Sequence, residues 1–290
     1  MIDFVKIRYQ DKAELEQEIL SSRNFKEVKA MIDIHTQKYE YPLIANYKNI
    51  RLRVTENMLI VKNSLHIFYN QINGNGIQNY NDFSYTNLVE AIETLARNIK
   101  GIKEQRLTNL EYGLNIEVPE TAESIINNNV YFHKYKEKTT SENYYGKGKY
   151  IQFKSINYLI KMYDKAKQYE INEKNILRFE IKFTNSKEFK KFDIKNLNDL
   201  LDKRKLQLLQ GYLIKRFDEL LIIDDFTALS DVSKSYLNSK HWSNYERKDR
   251  NRKAKHIKEF EKELIEKKLL KTKNLLRQKL IEKFNVLINN

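Results

Sequence analysis

Three short runs, SLHIFYN, LEYGLNI and LRFEIKF, constrain the fold of this chain more than any other feature. Side chains alternate between the two faces of a strand. Read as strands, these runs place Ser64, His66, Phe68 and Asn70 on one face, then Glu111, Gly113 and Asn115, then Arg178, Glu180 and Lys182. A fourth run, KMYDK, aligns Lys161, Tyr163 and Lys165 in the same way. A half-buried strand more often carries apolar residues in such rows. Polar rows on several strands point to a site across the middle of a sheet face.

The rest of the chain supplies the elements for such a sheet. RLRVTENMLIVKNSLHIFYN reads as a hairpin turning at Thr55, Glu56 and Asn57, which puts His66 on a strand. A charged amphipathic helix is expected around 12–20. Another is expected over 84–100, where Leu88, Ile92, Leu95 and Ile99 fall at helical spacing. Strands are expected at 107–118, 130–136, 150–165 and 176–183, with Pro119, Glu120 and Thr121 opening a short helix through about 128. Residues 137–149 read as a loop. Strands and helices mixed in this order, with hairpin-length connections, predict an α+β fold around an antiparallel sheet with flanking helices. After about residue 195 the pattern turns helical, so the expected division is 1–195, a sheet domain, and 196–290, a helical basic region.

Lys and Arg total 53 against 39 Asp and Glu, a net charge of +14. An excess of that size favours a polyanionic partner, nucleic acid first. The competing explanation is codon bias, since Lys, Asn, Ile and Tyr are abundant and Pro is almost absent. Between Lys240 and Lys283, 16 Lys and Arg face 7 Asp and Glu, so this stretch alone carries +9 of the charge. The lack of cysteine excludes disulfides, thiolate zinc sites and a Cys nucleophile. MIDFVKIRY is interrupted by charges as no secretory signal is, and no run approaches the roughly 18 apolar residues of a membrane span. The expectation is a cytoplasmic protein without a membrane partner.

An imidazole with two carboxylates and an amide is a reasonable ligand set for Mg²⁺ or Mn²⁺. The residues admit plainer roles as well: His66 as a hydrogen-bonded residue, and Arg178 as the structural partner of Glu180 or Glu111.

The run YLIKMYDKAKQYE followed by NILRFEIKF resembles the paired "YDK" and "RFE" strands of replication initiation proteins of small phages and plasmids, of the Bacteroidetes type and the broader plasmid Rep family. LHIFYN with NYNDF, LEYGLNIEV, the helical stretch ending in LIIDD and the HW near 241 follow in the same order. The resemblance implies an HUH-like, rolling-circle initiator. In that family an antiparallel sheet holds Mg²⁺ or Mn²⁺ over the scissile phosphate of single-stranded origin DNA, and a tyrosine attacks the phosphorus. Carried onto this chain, it implies a metal shell of His66, Glu111 and Glu180 with Asn115, and Lys165 and Arg178 as phosphate or charge partners. It also implies a host helicase and replication machinery as further partners.

Two departures qualify that picture. Phe68 stands where a second His would complete a His-hydrophobe-His signature. Phe189 and Phe192 stand where plasmid relatives place the nucleophile. The candidate nucleophiles are then Tyr163, beside Lys165, and Tyr212, on a following helix. In the basic region Arg247, Lys248, Arg250, Arg252 and Lys253 are candidates for phosphate contacts, with Lys182 and Arg178 on the sheet and Trp242 and Tyr245 for stacking on unpaired bases. The same region also reads as an amphipathic helix docked through Ile257, Phe260 and Leu264. Two alternatives to a nicking endonuclease stand beside it: a non-catalytic origin-binding or copy-control factor, and a helical interaction protein.

Overall fold

The computed structural model describes every residue except 139, 144–147 and 246–248. In chain order the elements are β1 (Ile2–Tyr9), α1 (Ala13–Ser21), β2 (Lys26–Ile32), β3 (Tyr39–Tyr47), β4 (Ile50–Val54), β5 (Leu59–Ser64), α2 (Leu65–Ile72), α3 (Tyr85–Asn98) and β6 (Arg106–Glu117). Then come α4 (Ala122–Asn128), β7 (Val130–His133), β8 (Lys136–Glu137), β9 (Thr140–Asn143), β10 (Lys149–Lys154), β11 (Tyr158–Asp164), α5 (Lys165–Gln168), β12 (Ile176–Phe183) and α6 (Ser186–Phe189). After two short 3₁₀ stretches follow α7 (Lys203–Asp218), β13 (Leu220–Ile222), α8 (Asp231–Ser235), α9 (Ser239–Ser243), α10 (Arg250–Glu266) and α11 (Lys271–Asn289). The fold is α+β, with antiparallel pairing and flanking helices. Among the described residues no helix is long and apolar enough to cross a membrane.

The chain forms two compact units that interleave along the sequence instead of meeting at residue 195: 1–113 with 181–211 and 285–290, and 114–180 with 212–284. The reason is that β6 and β12 each supply residues to both.

In the first unit β1 pairs antiparallel with β5, β5 with β4, and β4 with β3. Ile7 lies opposite Val61, and Val61 opposite Leu52; all three are buried. Lys6, Arg8, Lys62, Arg51 and Arg53 occupy the other side of the same strands. This period-two pattern gives the sheet one apolar and one polar face. On α3, Leu88, Ala91, Ile92 and Leu95 are buried at helical spacing, and a Ser84–Asn87 capping box fixes where the helix begins.

In the second unit β10 pairs with β11, and β7 lies between β8 and β13. Its core gathers Phe132, Leu221, Tyr236, Trp242, Phe260 and Leu264.

Several expected elements differ. The strand expected over 150–165 is two strands, because Ser155 to Asn157 make a turn closed by the Ser155 N–H to the Tyr158 carbonyl at 2.9 Å. The stretch 137–149, read as a loop, contains β9 and the start of β10. LLI at 220–222, read as helical, is β13, paired with β7. His66 is not on a strand. Ser64 ends β5 and its hydroxyl accepts the Ile67 N–H at 3.0 Å, so the chain passes directly into α2. Asp164 does the same at the end of β11, accepting the Lys167 N–H at 2.9 Å, so Lys165 opens α5 instead of extending the strand.

Candidate active site

In the second unit, β11 and β12 bring together a charged cluster around Glu180. Its side chain is buried. One carboxylate oxygen accepts from Arg178 Nε at 2.5 Å and the other from Lys161 Nζ at 2.9 Å. Arg178, also buried, donates through Nη1 to Asn115 Oδ1 at 2.9 Å. Burial pushes the Glu180 carboxyl up, but the charges and hydrogen bonds of Lys161 and Arg178 outweigh it and hold it well below the ordinary carboxylate range. The Tyr163 hydroxyl donates toward Glu180 Oε2 at 3.4 Å. Tyr163 and Lys161 are half-buried, while Glu180 and Arg178 are fully buried.

Lys165 is buried at the start of α5. Its ammonium donates to Gln168 Oε1 at 3.0 Å and sits 5.3 Å from the Tyr163 ring centroid and 5.0 Å from that of Tyr169. The expected adjacency of Tyr163 and Lys165 therefore holds as a contact with the ring face, not as a shared strand row.

The first unit holds the other predicted ligands. Glu111 accepts from Lys182 at 2.7 Å, and the Lys182 ammonium lies 5.3 Å from the Phe4 ring centroid. His66 is buried in α2. Its Nε2 is 2.8 Å from Asn81 Oδ1, and its ring stacks on Phe83 with centroids 4.7 Å apart. Asn81 and Asn70 exchange amide hydrogen bonds at 2.9 and 3.0 Å beside it.

The predicted shell of His66, Glu111, Glu180 and Asn115 does not fit a divalent cation. Glu180 already has a cation on each oxygen, Glu111 is paired with Lys182, Asn115 accepts from Arg178, and His66 is engaged with Asn81. Among the described residues no group of three or more His, Cys, Asp or Glu side chains is arranged to hold a metal ion.

Of the two candidate nucleophiles, Tyr212 stands on α7 with its ring edge-on to Tyr158 and the Arg216 guanidinium 4.7 Å above it. Phe189, one of the two phenylalanines in the stretch where the sequence resemblance implies a tyrosine, is fully buried against Phe183 at 5.8 Å between centroids.

Trp242 is not available to stack on bases. Its ring is buried among Tyr236, Tyr135 and Phe260, and its indole N–H donates to the Tyr236 carbonyl at 2.6 Å. Tyr245 is held by the two imidazoles of His241 and His256. Lys253 donates to the Trp242 carbonyl at 3.2 Å, and burial pushes its ammonium down from the usual lysine range. Arg250 and Arg252 are exposed at the start of α10, and Arg247 and Lys248 lie outside the described residues. Lys161 is the site residue to which the sequence assigned no role; its signal was its row with Tyr163.

No family model matches this chain, and no curated protein matches it. Among solved structures, one described as "Structure of Rolling Circle Replication Initiator Protein from Geobacillus stearothermophilus" is similar in fold at a TM-score of 0.47 and 10% identity, over 80% of this chain and 89% of that one.

Proposed function

We propose that the chain is a replication initiator that binds single-stranded origin DNA and nicks it through Tyr163. The observation that carries this reading is the hydroxyl of half-buried Tyr163, 3.4 Å from a buried carboxylate and on the strand that also presents Lys161. The motif order of the sequence supplies the substrate class.

In this reading the Tyr163 oxygen attacks the phosphorus. A P–O bond to tyrosine forms, the P–O3′ bond breaks, and the 5′-phosphate stays on the enzyme. The tyrosine proton leaves to solvent and the departing 3′-oxygen takes one up. Glu180, held ionised at such low pKa, is a poor proton acceptor. Its part is to orient the hydroxyl, while Lys161 offsets charge developing on the phosphate oxygens. Arg178, buried behind Glu180, positions that carboxylate. No step here depends on a metal ion.

The test is incubation of the full chain with single-stranded origin oligonucleotides, with Mn²⁺ and with chelator, followed by denaturing electrophoresis. A covalent adduct lost in Tyr163→Phe and kept in Tyr212→Phe supports the reading. An adduct that survives Tyr163→Phe moves the nucleophile elsewhere. The absence of any cleaved strand with every origin sequence leaves the second reading, a non-catalytic origin-binding protein, which the buried Phe189 favours.

A further inference from the structure

The polar face of the first unit's sheet carries more cationic charge than the candidate active site. Lys6 lies opposite Lys62, and Lys62 opposite Arg51; Arg8 lies opposite Ile60, and Ile60 opposite Arg53. On its other side Arg8 faces Arg106 of β6. Cross-strand partners share a face, so these six cations form two adjacent rows, about 4.8 Å from strand to strand and about 6.7 Å from row to row. Neither β1, β4 nor β5 places a carboxylate on this face. None of the six forms an ion pair among the described residues, and the Arg8 Nε–H is buried without a hydrogen-bond partner there. Arg51, Arg53 and Arg106 are exposed; Lys6, Arg8 and Lys62 are half-buried. Like charges held this close and uncompensated cost stability, and a polyanion laid across them removes that cost.

Beside Arg51, where β3 turns into β4, a pocket of about 580 Å³ is lined by Asn46, Asn49, Asn63, Gln71 and Tyr47. Asn49 Oδ1 and Gln71 Oε1 are buried acceptors with no donor among the described residues. The Glu27 carboxylate in the same lining takes the Asn46 amide at 2.6 Å. Amide acceptors beside a tyrosine suit the donor edge of an unstacked base, which a duplex would keep paired.

We propose that single-stranded DNA lies across this sheet face, its phosphates on the rows of Lys6, Lys62 and Arg51 and of Arg8, Arg53 and Arg106, with one base in the pocket beside Arg51. This rests on the nucleic-acid part of the reading above and adds a surface it does not assign.

The experiment uses the full chain and a fluorescein-labelled single-stranded oligonucleotide, with binding followed by anisotropy over a salt series. The variant Lys6→Gln/Arg51→Gln/Lys62→Gln is expected to bind more weakly. Its plot of log affinity against log salt should be shallower by about 0.7 for each cation removed. The comparison variant Arg250→Gln/Arg252→Gln/Lys255→Gln should keep the larger share of the slope. Gln71→Leu should lower affinity about fivefold and leave the slope unchanged, because it removes a hydrogen bond and no charge.

Wild-type affinity and slope in the sheet-face variant, with loss in the comparison variant, overturn this proposal and leave DNA binding standing. Wild type that shows no salt-sensitive binding overturns both. Duplex bound as tightly as the single strand overturns the choice of ligand, and unchanged affinity in Gln71→Leu overturns the base pocket. Photocrosslinking of the unmodified chain to a thiothymidine oligonucleotide guards against misfolded variants: crosslinks in 44–53 are expected, and crosslinks confined to other segments overturn the assignment.

Discussion

Arg178 and Glu180, two residues apart on β12, form a buried ion pair at 2.5 Å; Arg178 also donates to Asn115, and Glu180 also accepts from Lys161 and Tyr163. Each charge is buried because the other is. Removing one leaves the partner uncompensated, typically at a cost of about 3–5 kcal/mol. Glu180→Gln should therefore lower the denaturation midpoint sharply, measured by urea unfolding. Tyr163→Phe, which gives up the 3.4 Å contact to Glu180 and uncovers no buried charge, should cost less, on the order of 1 kcal/mol. A Glu180→Gln protein as stable as wild type would mean that the cluster is not closed as described.

Phe189→Tyr introduces a tyrosine in the stretch where the sequence resemblance implies one, yet it is expected to damage the protein and not to confer nicking. Phe189 is fully buried against Phe183, so an added hydroxyl has no water and costs about 1–3 kcal/mol if it finds no partner. Thermal melting reads the first effect and the adduct assay in a Tyr163→Phe background reads the second. Adduct formation there would place the nucleophile on α6.

The strands over 107–118 and 176–183, the helices at 13–21 and 85–98 and the Thr55 to Asn57 turn were legible because period and turn chemistry agree at each. So was the polar row of Arg178 and Glu180. What the pattern hid was the direct passage from strand to helix at Ser64 and Asp164. A strand's last residue is there also a helix cap, and alternation continues for a residue or two into the helix before the periods diverge. His66 was therefore assigned to the sheet, and with it the metal shell. Trp242 was read as a surface aromatic because basic residues surround it in sequence. The three-dimensional reason for its burial, the cluster with Tyr236 and Phe260, is built by residues that local pattern does not connect.

That burial gives a prediction that separates packing from binding in the basic region. Trp242→Ala should cost about 3–5 kcal/mol of stability, the usual price of an emptied aromatic site. It should leave the salt dependence of DNA binding unchanged wherever the protein is folded. Arg250→Gln with Arg252→Gln, both exposed, should leave stability unchanged and lower the salt slope by less than the sheet-face variant does. A Trp242→Ala protein with native stability and weakened DNA binding would restore the stacking role.

Glu263 on α10 makes the second unit sensitive to acid. Burial raises its carboxyl, but Lys267, the Ser233 hydroxyl and both the N–H and hydroxyl of Ser230 outweigh that and hold it at about 2, against an ordinary 4.5. A carboxyl depressed in the folded state adds stability that is complete above its unfolded value and disappears as pH falls through the folded one. The window is therefore from 4.5 down to about 2. With the side chain partly solvent-screened, the contribution at neutral pH is on the order of 2 kcal/mol. Ser230 N–H at 2.7 Å and the Ser230 hydroxyl at 2.8 Å tie the N-terminus of α8 to this carboxylate, so acid should loosen α8 before α10. Glu263→Gln should flatten the fall in stability across that window, and hydrogen exchange at Ser230 to Ser233 should rise in the variant at neutral pH. An acid transition identical in variant and wild type would assign the sensitivity to other carboxylates.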